Sequence, residues 1–363
     1  MCNKNTKQNA IYYILEENKR GNTAGTKLKD DLMSFFRNSG YKPVNKIPLY
    51  SNNKKTFLYL IKSFISTIAL SIKLSFIKKK TIVMVYPLIK INFWKHAFML
   101  ACKKNKIILL LFDLRYFQYK CFGDHKDFSL KEETAFLNNA YACIAHTLFE
   151  KQLLLENGLT TKTYTLEFLD YISNVFCLEP QTRLPNNIAF AGYLPRASFL
   201  NKVDLKTFKN ISINIYGDTE TLKAKNPNLH YCGSYDGQSL INEMSSCQFG
   251  LVWDGDDIDT FGNFYGGYEK YIIPHKAVSY INAGLPLIVW SDSALAQFVD
   301  KYNVGIKIKN INEIPSAISK IGDDEYALLI SNVKAVQKLT SSCSFIKRTF
   351  NEILSDLSAQ IKQ

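Results

Sequence analysis

From Cys247 to Trp290 the chain reads CQFGLVWDGDDIDTFGNFYGGYEKYIIPHKAVSYINAGLPLIVW. Two short apolar runs, Phe249–Trp253 and Leu285–Trp290, are rich in β-branched and aromatic residues and read as buried strands. Between them Pro274 suits the first turn of a helix and Gly284 its C-cap. Strand, polar loop, helix and strand in that order demand a parallel crossover, and so an α/β fold. The first strand stops at Asp254-Gly255-Asp256-Asp257, so its C-terminal end opens onto an acidic, glycine-containing loop where a site belongs. The helix begins Pro274-His275-Lys276. Its free N–H groups, its positive dipole end and the Lys276 charge together suit phosphate oxygens; two basic residues on a solvated helix end are the alternative.

The same alternation runs through the rest of the chain. A strand over Ala10–Leu15 leads through a glycine-bearing loop to a helix over Thr26–Phe36, and Pro43–Ser51 reads as a second strand. Thr81–Pro87 and Lys106–Phe112 are buried strands separated by a helix near Phe93–Lys103; Asp113 follows the second. Further helices and strands bring the first domain to about residue 170, a proline-bearing linker covers 171–187, and a second domain covers 188–340. Strands at Ile188 and Ile211–Tyr216 exit at Gly192 and Gly217, and another exits at Gly233-Ser234-Tyr235, where Tyr235 can meet a nucleotide base or cap the domain. Two long amphipathic helices, Tyr326–Leu339 and Phe345–Ile361, close the chain.

With 363 residues and 47% hydrophobic content, the chain can bury two cores. Eight scattered cysteines without a CxxC pair speak against a zinc site or a disulfide framework and for a reducing cytoplasm; no signal peptide is read at the polar Met1–Ala10. The net charge of +13 is lopsided, with 27 Lys+Arg against 12 Asp+Glu over residues 1–168 and 18 against 20 over the remainder. A basic first half points to an anionic membrane surface or a lipid diphosphate; without Arg clusters or RNA-binding signatures, nucleic acid is not expected. Phe57–Ile77 is long enough to span a bilayer, yet Lys62 and Lys73 interrupt it and Ser63, Thr67 and Ser71 form a polar stripe. It reads as an amphipathic helix packed on the sheet, with in-plane membrane contact the alternative because Lys78-Lys79-Lys80 follows.

The WDGD segment, the Gly/Tyr-rich loop, the PHK helix start and AGLPLIVW resemble the C-terminal half of bacterial galactofuranosyltransferases of O-antigen and capsule synthesis. They are similar, too, to the glucosyltransferases that extend O-linked GlcNAc on serine-rich adhesins. The resemblance is densest from Ile188 to Phe298. It implies a GT-B fold, two Rossmann-like domains facing each other across a cleft, with 341–363 crossing back to the first domain. It implies UDP-sugar as donor, no cofactor and no metal, and transfer of a hexosyl unit with inversion. Galactofuranosyl is the leading donor and UDP-glucose or UDP-galactopyranose the alternative.

On the donor side the expectation draws on Gly192, Leu194, Arg196, Tyr216, Gly217, Tyr235, Asp254, Gly255, Asp256, Tyr271, Pro274, His275, Lys276 and Tyr280. Gly192-x-Leu194-x-Arg196 resembles the donor-phosphate loop, and a guanidinium can give a diphosphate two parallel hydrogen bonds. Asp254-Gly255-Asp256 looks like a metal-binding DxD, but in a metal-independent family it reads as a partner for sugar hydroxyls or for the Tyr268 loop. Asn22, Thr23 and Gly25 are expected on the acceptor side. Asp113 is the first choice of catalytic base, ahead of Glu16 and His125, although the resembling enzymes read His-Asp where this chain reads Phe112-Asp113. The acceptor is expected to be a glycan on a lipid diphosphate, met peripherally on the inner face of the cytoplasmic membrane, with a homo-oligomer left open. The loss of the imidazole keeps a third reading in view, an inactive nucleotide-sugar-binding partner of another transferase.

Overall fold

The computed structural model describes residues 10–18, 24–51, 57–122, 128–172, 183–204, 206–217, 227–235, 237–259 and 264–361. They divide between two compact units, one within Met1–Ala145 and Lys151–Thr165, the other within His146–Glu150 and Leu166–Gln363.

In the first unit β1 (Ile11–Tyr13), β2 (Glu16–Asn18), helix α1 (Ala24–Asn38), β3 (Lys42–Pro43), β4 (Leu49–Ser51), α2 (Phe57–Phe76), β5 (Thr81–Tyr86), α3 (Ile91–Lys104), β6 (Lys106–Leu111), α4 (Arg115–Phe122), α5 (Leu130–Leu137), β7 (Ala142–Ala145), α6 (Leu148–Glu156) and β8 (Lys162–Thr165) follow one another; α6 straddles the division. Six strands form a parallel sheet in the order β3-β1-β5-β6-β7-β8, while β2 and β4 pair by themselves. The single strand expected over 43–51 is therefore two short ones in different sheets. Buried Asn45 is the reason: its side chain accepts from Leu15 N–H at 2.8 Å and donates to the Leu15 and Ile47 carbonyls, replacing a ladder where the chain changes sheet. Helix α4 follows Asp113, and a capping box between Ser129 and Glu132 starts α5 at Leu130.

Helix α2 lies where expected but is turned over. Its Ser63, Ser66 and Thr67 are buried with Leu70 and Leu74, so the polar stripe faces inward. Each buried hydroxyl is satisfied locally, Ser66 and Thr67 donating to the Ser63 carbonyl at 3.0 and 2.7 Å. Such small side chains let α3 run alongside, where Lys90 reaches Ser63 Oγ and Lys104 Nζ donates to the Ser75 carbonyl at 2.9 Å.

The second unit carries β9 (Asn187–Ala191), β10 (Ser212–Tyr216), β11 (Leu229–Gly233), α7 (Gly237–Met244), β12 (Phe249–Val252), α8 (Phe264–Tyr268), α9 (His275–Asn282), β13 (Leu287–Trp290), α10 (Ala294–Tyr302), β14 (Gly305–Ile308), α11 (Ile314–Ser319), α12 (Asp323–Ser341) and α13 (Ser344–Ile361). Its parallel sheet has the order β11-β10-β9-β12-β13-β14. Counted from β9, that is the 3-2-1-4-5-6 order of a dinucleotide-binding sheet, with its reversal between β9 and β12. The central strands β9, β12 and β13 are buried on both faces, and Ile188, Phe190, Leu251, Trp253 and Ile288 lie in one core. Helix α13 belongs to this unit: Phe345 packs on Phe168 and Phe298, and Asp170 accepts from the Phe345 and Ile346 N–H groups at 3.2 and 2.7 Å.

Candidate functional site

In open α/β sheets a ligand sits beyond the carboxyl ends of the strands, where the strand order reverses. In the second unit that place is held by Lys276, the second residue of α9. Its ammonium donates to the Trp253 carbonyl at 2.9 Å and to Asp254 Oδ1 at 2.5 Å, at the exit of β12. A β-carbon at Gly192, the exit of β9, would lie 3.9 Å from the same nitrogen, and the Phe190 ring lies beneath it at 5.2 Å. One cation thus stands between the two strand ends that flank the reversal.

The loops around it are tied by backbone. Gly255 N–H donates to the Arg196 carbonyl at 2.7 Å, and Gly255 has φ +115°, a conformation that favours glycine. Gly192 N–H donates to the Tyr216 carbonyl at 3.1 Å and Gly217 N–H to the Gly233 carbonyl at 2.9 Å, so three neighbouring strands end level. At Gly217 a β-carbon would come within 2.4 Å of the Gly192 carbonyl oxygen, which requires glycine there. Arg196 sits in the turn Leu194–Arg196 with its guanidinium 5.9 Å from the Tyr193 ring.

Beneath Lys276 lies Glu269, fully buried, with its Oε1 3.8 Å from the ammonium. Neither of its carboxylate oxygens has a hydrogen-bond partner among the described residues, and Asp256 Oδ1 is likewise buried without one. Burial first, and then the Asp254 charge, raise the Glu269 pKa well above the ordinary carboxylate value, against the pull of Lys276. Nothing local in YGGYEKY marks Glu269 as an interior acid.

The other expected donor residues fall into two groups. Pro274 stands just before α9 as its N-cap, not in its first turn, and His275 begins the helix with its ring 5.9 Å from Tyr171. Tyr271 is half-buried and its carbonyl accepts from Thr147 Oγ1. Tyr235 closes the exit of β11, its hydroxyl donating to the Cys232 carbonyl at 2.8 Å and its ring 6.2 Å from Tyr216. Leu194, Tyr216 and Tyr280, by contrast, are buried packing residues. Tyr280 is the clearest correction: its hydroxyl accepts from Ala191 N–H at 2.7 Å and its ring lies over Gly250, so it sets the seat of Lys276 without reaching a ligand surface.

In the first unit Asp113 follows β6, half-buried, and accepts from Gln118 Nε2 at 3.1 Å. Its loop is fixed by an acid that sequence reasoning missed. Buried Glu133 accepts from the Arg115 and Tyr116 N–H groups at 2.6 and 2.9 Å and from Tyr86 hydroxyl at 2.7 Å; desolvation raises its pKa and these hydrogen bonds oppose that rise. Glu16 is buried and engaged by Lys29 at 2.8 Å, which leaves it poorly placed to act as a base. Asn22, Thr23 and His125 lie outside the described residues, and of Gly25 only its place in α1 is described.

Comparison with known proteins bears on the family and the fold. The family model for the glucosyltransferase 3-like C-terminal domain matches residues 188–353, and that for the N-terminal domain matches 11–168. The chain is 24% identical over 352 residues to the β-1,6-galactofuranosyltransferase WbbI of Escherichia coli, covering 96% of this chain and 99% of that protein. It is 24% identical over 223 residues to glucosyltransferase 3 of Streptococcus gordonii, covering 61% and 63% of the two chains. Among solved structures, the lipopolysaccharide outer core galactosyltransferase WaaB superposes with a TM-score of 0.59 at 13% identity, covering 96% and 99%. Anabaena HepE in complex with UDP superposes with a TM-score of 0.57 at 11% identity, covering 96% and 100%. At such identities the likeness speaks for the fold, two Rossmann-like domains of GT-B type. Matched in both its domains, the chain belongs to the glucosyltransferase 3-like family of GT-B glycosyltransferases.

Proposed function

We propose that this glycosyltransferase moves a galactofuranosyl unit from UDP-galactofuranose, with inversion, onto a glycan acceptor of bacterial surface polysaccharide. The observation that carries the donor site is Lys276 at the strand-order reversal, next to Gly192 and bound to Asp254. The choice of sugar follows the full-length similarity to a β-1,6-galactofuranosyltransferase. A second reading, UDP-glucose, is favoured by the glucosyltransferase 3-like family description and by the fold shared with an enzyme captured with UDP-glucose.

Transfer requires the departing diphosphate to be neutralised and the acceptor hydroxyl to lose its proton. Lys276 and Arg196 supply the two positive charges, and no metal or other cofactor is required. Support for that comes from Asp254, the first acid of the metal-like motif, which is engaged by the lysine ammonium. When the diphosphate arrives, Lys276 exchanges part of its bond to Asp254 for phosphate oxygens, and the Asp254-Gly255-Asp256 loop is released towards the sugar hydroxyls. Asp113 is the base, taking the acceptor proton as the new glycosidic bond forms and the bond to UDP breaks. The acceptor is carried on a lipid diphosphate, and the enzyme works peripherally at the inner face of the cytoplasmic membrane.

Release of UDP from a panel of UDP-galactofuranose, UDP-galactopyranose and UDP-glucose, with EDTA throughout, tests this reading. Turnover fastest with UDP-galactofuranose and a β-linked product is the expected result. A preference for UDP-glucose would establish the second reading, and activity only with added divalent metal would remove the charge roles given to Lys276 and Arg196.

A further inference from the structure

Helix α2 is inside out for a helix of a folded unit. Its serine and threonine stripe is buried, while Phe57, Leu58, Leu60, Ile61, Phe64, Ile65, Ile68, Ile72 and Phe76 are exposed, Phe64 to 61% and Phe76 to 76%. Among the described residues it is the one helix long and apolar enough to cross a membrane. One face is packed on the first unit, with Ser63, Ser66, Thr67, Leu70 and Leu74 buried, and the strands on either side of the helix belong to that same unit, so it is seated on the protein and not surrounded by lipid. β4, before it, pairs with β2; β5, after it, pairs with β1; and only Ile14 and Leu15 separate β1 from β2. The helix therefore presents a continuous apolar stripe along its ~30 Å length while its back stays seated on the unit. Patches of this kind mark interaction sites.

Charge selects the partner. Residues 32–112 contain fifteen Lys or Arg and no Asp or Glu. Lys62 and Lys73 are eleven residues apart, about three turns, so both stand on one border of the apolar stripe, and exposed Lys78, Lys79 and Lys80 follow its C-terminal end. On the neighbouring α3, Phe93 and Leu100 are exposed as well, with Lys95 and Lys103. A two-fold contact between copies of this chain would set two strongly basic surfaces, with no acid between residues 32 and 112, against each other and repel. An anionic bilayer accepts both features at once: the apolar residues enter the acyl boundary while the lysines extend to lipid phosphates.

We infer that α2 is an in-plane membrane-docking helix, its Phe/Ile/Leu face buried in the interface of an anionic leaflet and its lysine border on the headgroups. This deepens the membrane placement proposed above; vesicle binding needs no donor and no turnover, so failure of the inference and failure of the donor reading are separable.

The test is co-flotation of the full chain with phosphatidylcholine vesicles and with vesicles containing phosphatidylglycerol as well. Wild type should float with the anionic vesicles, less so as salt is raised. The variant Ile61→Ser/Phe64→Ser/Ile68→Ser, at exposed positions, should keep its circular dichroism and thermal midpoint yet bind more than about tenfold more weakly. Lys62→Glu/Lys73→Glu should lose the preference for anionic lipid. The added fluorescence of Ile65→Trp should be quenched by brominated acyl chains. Absence of wild-type flotation, or flotation unchanged in the triple variant, overturns the inference. So does a wild-type dimer in solution that the triple variant converts to monomer with no change in flotation, since a second copy would then be the occupant.

Discussion

Lys276 gathers the electrostatics of the site. It is held by Asp254 and by the Trp253 carbonyl, and buried Glu269, its pKa raised by burial, lies 3.8 Å away. A lysine so held is preorganised for an anion, and its charge is kept where a diphosphate would need it. Other buried ionisable groups answer to pH. Desolvation lowers the His146 pKa from 6.5 to about 4, so its neutral form favours the folded state above pH 6.5 and that contribution is lost as pH falls from 6.5 to 4. Asp170 acts in the opposite sense: burial pushes its pKa from 3.8 up to about 7, so its contribution is present at low pH and is lost as pH rises across that interval. Comparing His146→Gln with wild type isolates the histidine. Relative to the variant, wild type should lose ~3 kcal/mol of unfolding free energy between pH 6.5 and pH 4, measured by denaturant unfolding at each pH. A difference that stays flat across that range would mean His146 is not held neutral by burial.

At the scale of elements, the seat of the lysine is the packing of α9 on β12. Gly284 ends α9 with φ +77°, its N–H donating to the Ile281 carbonyl and that of Leu285 to the Tyr280 carbonyl, a Schellman closure that turns the chain directly into β13. On the inner side the Tyr280 ring occupies the space above Gly250, where a β-carbon would lie 2.3 Å from the ring. Gly250→Ala should therefore push α9 outward, lowering stability by about 1–3 kcal/mol in thermal or denaturant unfolding and weakening UDP binding through Lys276. Unchanged stability would show that the helix has room to shift.

These elements were legible in advance because their signals are local: apolar runs set β12 and β13, and Pro274 and Gly284 bracket α9. What escaped depends on packing. A stripe of Ser63, Thr67 and Ser71 establishes that α2 has two faces but not which one is inside, and that is settled by its fit against α3. Glu133 and Glu269 look like any acid in a polar stretch, and only tertiary contacts bury them. Tyr280 shared a motif with Lys276 and so was given a ligand role, whereas one turn further along the same helix face its ring lies over Gly250 and its hydroxyl meets the Ala191 N–H, while Lys276 reaches the strand ends.

At the scale of the whole molecule, each unit carries a six-stranded parallel sheet, and the residues proposed for the chemistry stand at carboxyl ends in both, Asp113 after β6 and Lys276 against the exits of β9 and β12. The surplus positive charge lies in the first half, with the inside-out helix, while the half with the proposed donor site is nearly neutral. That separation fits an enzyme whose membrane attachment and nucleotide binding are distinct tasks. The account stands first on the donor site. Calorimetric titration of UDP into wild type and Lys276→Ala, in EDTA, tests it most directly. A charged contact to a buried phosphate contributes roughly 1.5–3 kcal/mol, so the variant should bind UDP more than about tenfold more weakly while wild type binds without metal. Equal affinity in the two proteins, or binding by wild type only when a divalent cation is restored, would contradict it.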